Sequence, residues 1–150
     1  MKINKLYLLE IVYHDGEDQD GEPIEDRWIV GYFTDLSLLQ SAKKECNKNG
    51  IEEDSYVVTE FSFDGEHHQR YAYVLNYEYS LEIDGQYEDY YYYFEPKPNR
   101  RQCLQLKKQL LSDPKYRPNP NKLYTNSKDG FFIEKIKINF YLPDVFNFNQ

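Results

Sequence analysis

Two distant stretches of the chain read alike, and that likeness restricts the architecture before any motif is considered. Leu6-Tyr7-Leu8-Leu9-Glu10-Ile11-Val12-Tyr13 lies over Ala72-Tyr73-Val74-Leu75-Asn76-Tyr77-Glu78-Tyr79, with apolar residues alternating at Tyr7, Leu9, Ile11, Tyr13 and again at Tyr73, Leu75, Tyr77, Tyr79. A period of two marks a strand with one buried face. Each strand enters an acidic, glycine-containing turn, His14 to Pro23 in one case and Ile83-Asp84-Gly85-Gln86 in the other. Asp-Gly favours such reversals because Asp, and glycine above all, tolerates positive φ. Second strands follow, Arg27 to Phe33 and Asp89 to Phe94, both ending in Tyr-Phe.

A helix comes next in each copy. Leu38, Leu39, Ala42 and Cys46 recur at helical spacing between an Asp35 or Ser37 cap and the stop at Asn49-Gly50. Cys103, Leu104, Leu106, Leu110 and Leu111 run from Pro98-Asn99 to the break at Asp113-Pro114. The closing strands, Tyr56 to Asp64 and Phe131 to Asn139, match without a gap. The fold class is therefore read as α+β: two pseudo-symmetric strand-strand-helix-strand (ββαβ) units, residues 1–66 and 67–150, each an antiparallel sheet with one main helix. The linker Asp64 to Arg70 is too short for independent tumbling, so one compact body is expected. The periodicity predicts burial of Leu9, Ile11, Leu39, Ala42 and Phe61 in the first unit, and of Leu75, Tyr77, Leu106, Leu110 and Ile136 in the second.

The first copy resembles a family of short uncharacterised bacterial and phage domains that open on a Tyr-Leu-Leu-Glu-type strand. The resemblance rests on Leu6-Tyr7-Leu8-Leu9-Glu10, Gly31-Tyr32-Phe33-Thr34, Ala42-Lys43-Lys44 and Tyr56-Val57-Val58-Thr59-Glu60-Phe61. It covers residues 5–64 and recurs weakly over 71–140, where Tyr92 stands in place of the glycine before the aromatic pair. It implies the fold and carries no activity with it.

Composition narrows the function classes. No apolar run approaches a bilayer span and no cleavable leader opens the chain, which places the protein in the cytoplasm with no membrane partner. An aromatic share of 17% excludes a disordered chain. Cys46 and Cys103 stand alone, excluding a disulfide framework, a zinc knuckle and a CxxC redox pair; both read as buried thiols. The net charge of −8 is unevenly spread: residues 1–69 hold 6 basic and 16 acidic side chains, residues 70–150 hold 12 and 10. Such asymmetry points to a charged partner.

No catalytic constellation emerges. There is no G-x-S-x-G, no phosphate loop and no dinucleotide fingerprint. The acidic turn fails as an EF-hand, because with Gly21 at the sixth position the first and twelfth would be Gly16 and Arg27. His67 and His68 lack a third ligand at workable spacing. Neither a metal nor an organic cofactor is predicted.

Two surfaces remain. Asp15, Asp18 and Asp20, together with Tyr87, Glu88, Asp89, Tyr91 and Tyr93, would suit a protein partner with a basic surface, since tyrosine offers rigid contact area at low entropic cost. These residues predict a non-catalytic binding module, a phage or mobile-element factor that occupies and inhibits or regulates a host protein. The alternative is a nucleic-acid-binding or nucleic-acid-cleaving protein built on the cluster from Lys97 to Lys128, above all Arg100, Arg101, Lys107 and Lys108.

Overall fold

A computed structural model describes residues 2–17 and 20–141, apart from the side chains of Asp15, Pro23 and Ile24. Among these residues the protein is α+β, with two antiparallel sheets and two α-helices. Among the described residues no helix is long and apolar enough to cross a membrane. The chain divides into two compact units: residues up to Arg70 joined by the stretch from Lys137, and Tyr71–Ile136. The boundary expected between 66 and 67 thus falls at the far end of the same linker. The last described residues belong with the first unit, not the second.

In the first unit, β1 (Ile3–Glu17), β2 (Pro23–Phe33), α1 (Leu36–Lys48) and β3 (Tyr56–Gly65) form a sheet of order β2-β1-β3 beneath one helix. Asp35 starts α1 by accepting the Ser37 N–H at 2.8 Å, and Gly50 ends it at φ 92°, a conformation that favours glycine. Leu39, Ala42 and Cys46 line one stripe of α1 and meet Leu9, Ile11, Val30 and Phe33 of the sheet. Of the residues expected in this core, Leu9, Ile11, Leu39 and Ala42 are buried, whereas Phe61 is only half-buried and pairs with Leu6, on the face of the sheet away from α1.

The expectation of a single buried face for β1 is corrected. Leu6 and Leu8, on the opposite parity from Leu9 and Ile11, are just as inaccessible, and Glu10, on the same parity as Leu6 and Leu8, is only 2% exposed. Alternating polarity marks one buried face, but a strand with leucines on both parities can bury two. The Arg27 guanidinium lies 3.6 Å from the Glu10 carboxylate, so that buried charge has a cation beside it.

In the second unit, β4 (Tyr71–Ile83) and β5 (Gln86–Tyr93) form a hairpin whose turn residues, Asp84 and Gly85, have φ of 52° and 80°. Two successive positive φ values are the mark of the tight turn whose twist matches that of paired strands. After α2 (Arg100–Leu110) come β6 (Lys122–Leu123) and β7 (Phe131–Lys137), both paired with β4. Asn99 caps α2 by accepting the Gln102 N–H at 2.9 Å. The core gathers Leu75, Tyr77, Tyr79, Cys103 and Phe131, with Tyr90, Tyr92 and Tyr116 packed against it. Leu75 and Tyr77 are buried as expected, while Leu106, Leu110 and Ile136 are only half-buried. Aromatic rings fill the volume that aliphatic side chains fill in the first unit.

The hairpins of the two units differ in register. β1 and β2 slip between Leu9 and Glu10, whereas β4 and β5 pair without interruption from Asn76↔Tyr93 to Ile83↔Gln86. Overlaying the sequences would set Tyr73 opposite Phe94, yet the Phe94 N–H is donated to the Leu75 carbonyl at 3.0 Å. A two-residue offset leaves every side chain on its own face, which is why the likeness survives it.

Candidate partner-binding edge

The residues expected to meet a protein partner lie on two separate elements. At the acidic turn of the first unit, Asp20 is exposed and Asp15 lies on β1, while Asp18 falls outside the described residues. The remainder lie on β5, a strand at the end of its sheet with β4 as its neighbour.

Period two divides β5 cleanly. Tyr90 and Tyr92 turn toward the helix: the Tyr90 ring stacks on Tyr79 at 5.0 Å and the Tyr92 ring on Tyr77 at 6.3 Å. Tyr87, Asp89, Tyr91 and Tyr93 take the other face. Tyr87 is 63% exposed and Tyr91 46%, while Tyr93 is half-buried with its ring 5.9 Å from that of Tyr91. The Tyr91 hydroxyl points inward, hydrogen-bonded to Asn76 and 3.4 Å from Glu134. Burial and the Glu134 carboxylate push its phenol up to about 12, so the ring rather than the hydroxyl is what Tyr91 offers outward.

Glu88 and Asp89 are exposed between the tyrosines. Glu88 accepts the Tyr90 hydroxyl at 2.7 Å and Asp89 accepts that of Ser80. Both are held in place by neutral donors, and among the described residues neither forms an ion pair with a lysine or arginine. The backbone adds direction. Since Phe94 bonds to Leu75, the strict alternation of an antiparallel ladder turns Tyr92, Tyr90 and Glu88 toward β4, and leaves the N–H and C=O groups of Tyr87, Asp89 and Tyr91 facing away from the sheet.

The basic stretch is largely spent inside its own unit. Lys97 pairs with Glu95 and Lys107 with Asp129, each at 2.6 Å. Lys115 lies over the Tyr92 ring at 4.8 Å. Lys122 lies over Tyr79 at 4.5 Å and donates to the Tyr77 hydroxyl at 2.9 Å. Arg117 donates to the carbonyls of Leu111 and Ser112. Of the four residues singled out for phosphate contact, Arg100, Arg101 and Lys108 are exposed on α2, and Lys107 is committed. Sequence alone could not show this, because most of the partners lie outside the cluster.

The histidines gain a setting that the sequence did not give them. His67 and His68 line a cleft of about 710 Å³ in the first unit with Tyr7, Thr34, Asp35 and Asn139. Asp35 there already caps α1, and Asn139 accepts the Thr34 N–H at 2.8 Å, so the polar groups of the cleft serve the fold. Among the described residues no three His, Cys, Asp or Glu side chains are grouped to hold a metal ion. Both cysteines are buried, and burial pushes the Cys46 thiol up to about 11, which keeps it protonated at neutral pH.

Comparison with protein-family models, curated proteins and solved structures finds no match for this chain.

Proposed function

We propose that the chain is a non-catalytic protein-binding module that presents acidic, tyrosine-bearing surface to a basic partner. The β5 edge carries this reading: Tyr87, Glu88, Asp89 and the Tyr91 ring are exposed together, and both carboxylates lack a cationic partner among the described residues. Rigid aromatic area beside unpaired charge favours protein contact, with the charges steering the encounter and the rings contributing buried area. Asp15, Asp18 and Asp20 add carboxylates of the first unit to this proposal. Two diverged ββαβ copies supply the scaffold in this proposal, supported by the shared element order and by the faces that the register offset preserves. The role proposed is that of a cytoplasmic factor of phage or mobile-element origin that occupies and regulates a host protein.

Nucleic-acid binding through Arg100, Arg101, Lys107 and Lys108 is the competing reading. It is weakened because most of the surrounding basic side chains are engaged within the unit, and because a net charge of −8 opposes a polyanion. Affinity capture from lysate of the natural host, before and after nuclease digestion, separates the two. Retention of a defined protein after digestion, lost on Glu88→Lys with Asp89→Lys and indifferent to Arg100→Ala with Arg101→Ala, is expected. Capture of nucleic acid that fails steeply as salt rises and depends on the arginines would replace this reading with its competitor.

A further inference from the structure

We infer that β5 binds its partner by strand addition: an extended, lysine- or arginine-rich segment hydrogen-bonds along the outer edge of Gln86–Tyr93 and continues the sheet. This inference rests on the binding reading above and specifies the mode and the partner's chemistry.

Natural sheet edges are normally blunted by lysine, proline or a bulge, since an open ladder recruits other strands. β5 has no lysine, proline or bulge, and its only charges are the carboxylates of Glu88 and Asp89, which oppose an acidic strand and admit a basic one. Its sequence, Gln-Tyr-Glu-Asp-Tyr-Tyr-Tyr-Tyr, contains no lysine or proline, and its pairing with β4 runs through eight residues without a register shift. The other edges differ. β2 begins at Pro23 and slips in register against β1, and the Asn139 N–H bonds to the Tyr32 carbonyl. β3 slips in register against β1 between Ile3 and Lys5, and Lys5 neutralises its Glu60 at 3.0 Å.

On β5 the outward backbone groups belong to Tyr87, Asp89 and Tyr91, and no described residue takes them up. An added strand would alternate its own side chains across both faces. It would meet Asp89 and the Tyr91 ring on one face and Glu88 on the other. Carboxylates on both faces select cations at successive positions of the incoming strand, and the aliphatic stems of lysine or arginine suit the exposed ring. The same charges disfavour a second copy of this chain, because an antiparallel register centred on Asp89 would set two carboxylates directly opposite one another.

The test uses the full chain and a capped synthetic peptide matched in length to β5, with two successive lysines at its centre between threonine and valine residues, so that one lysine lies on each face. Expected are saturable binding and slowed hydrogen exchange at the Tyr87, Asp89 and Tyr91 amides. N-methylation of alternate peptide nitrogens in the bonding register should weaken binding on the order of tenfold, as the loss of ladder bonds requires. Tyr87→Pro should do likewise, since it removes an outward donor while leaving the β4 ladder intact; unchanged thermal unfolding of the free variant would show that it folds. Binding indifferent to N-methylation, protection away from β5, or no binding at all would overturn strand addition. So would β5 amides already protected in free protein that sediments as a dimer, for a second copy would then hold the edge. If the captured host partner responds to Glu88→Lys with Asp89→Lys but not to Tyr87→Pro, strand addition fails and the acidic binding surface stands. If that partner ignores charge reversal while peptide binding behaves as expected, the surface reading fails and the edge chemistry stands.

Discussion

Asp129 shows at single-residue scale how the second unit uses its charges. Burial alone would push its carboxyl up, but Lys107 at 2.6 Å, the Phe131 N–H at 3.1 Å and Ser127 together hold it below the ordinary 3.8. A carboxyl depressed in the folded state contributes stability above its unfolded pKa and loses it as pH falls through the folded value. The urea midpoint of the native protein should therefore drop more between about pH 6 and about pH 3 than that of Asp129→Asn, and the two curves should converge at the acid end. Equal acid sensitivity in both proteins would mean that Lys107 is free to meet a phosphate. The neighbouring Gly130 is equally constrained: at φ 86°, an added Cβ would stand 2.8 Å from the Tyr124 ring and 2.9 Å from that of Tyr77. A glycine in the sequence reads as a turn, and only the structure shows that rings occupy the space beside this one.

At the scale of elements, local signals were legible and long-range ones were not. Period two located β1, β3, β4 and β7, and helical spacing between the Asp35 or Ser37 cap and Asn49-Gly50, and between Pro98-Asn99 and Asp113-Pro114, located both helices, because those cues lie within a few residues of one another. β6 leaves no local signal: it consists of Lys122 and Leu123 alone, held by pairing with Leu81 and Ser80 some forty positions away. The division of β5 into an inner and an outer face followed from alternation, but which face was inner depended on Tyr77, Tyr79 and α2. The engagement of Lys122, which lies within the Lys97–Lys128 cluster, is hidden from the sequence for the same reason, since its partners sit on β4. Lys122 ties β6 to β4 through the Tyr77 hydroxyl and the Tyr79 ring, in a partly desolvated position. Lys122→Met should keep the aliphatic stem yet lower stability by about 1–2 kcal/mol, measured by chemical denaturation. A phosphate-binding lysine on open surface would instead show no loss of stability and a loss of nucleic-acid affinity.

At the scale of the whole chain, sequence order misassigns the closing segment. The stretch matched to the end of β3 runs on to Asn139, and reading along the chain places all of it in the second unit; residues from Lys137 nevertheless belong to the first. The contacts explain why. The Ile138 N–H bonds to the Arg70 carbonyl and the Asn139 N–H to the Tyr32 carbonyl, each at 2.8 Å, while the Asn139 side chain exchanges hydrogen bonds with Thr34. Gly31 permits this approach, since a Cβ there would come within 2.7 Å of the Phe140 carbonyl oxygen. Its counterpart in the second copy, Tyr92, is half-buried and packs its ring against the core of the second unit. Ile138 is 5% exposed, so Ile138→Ala should cost about 2–4 kcal/mol. Asn139 sits at φ 59°, which asparagine and glycine tolerate better than alanine, so Asn139→Gly should cost less than Asn139→Ala while both lose the Thr34 bonds. Hydrogen exchange locates the damage. The amides of Thr34, Ile138 and Asn139 should exchange faster in these variants, with the β4–β5 hairpin keeping its protection. Losses confined to 71–136 would return the closing segment to the second unit, in the order the sequence suggests.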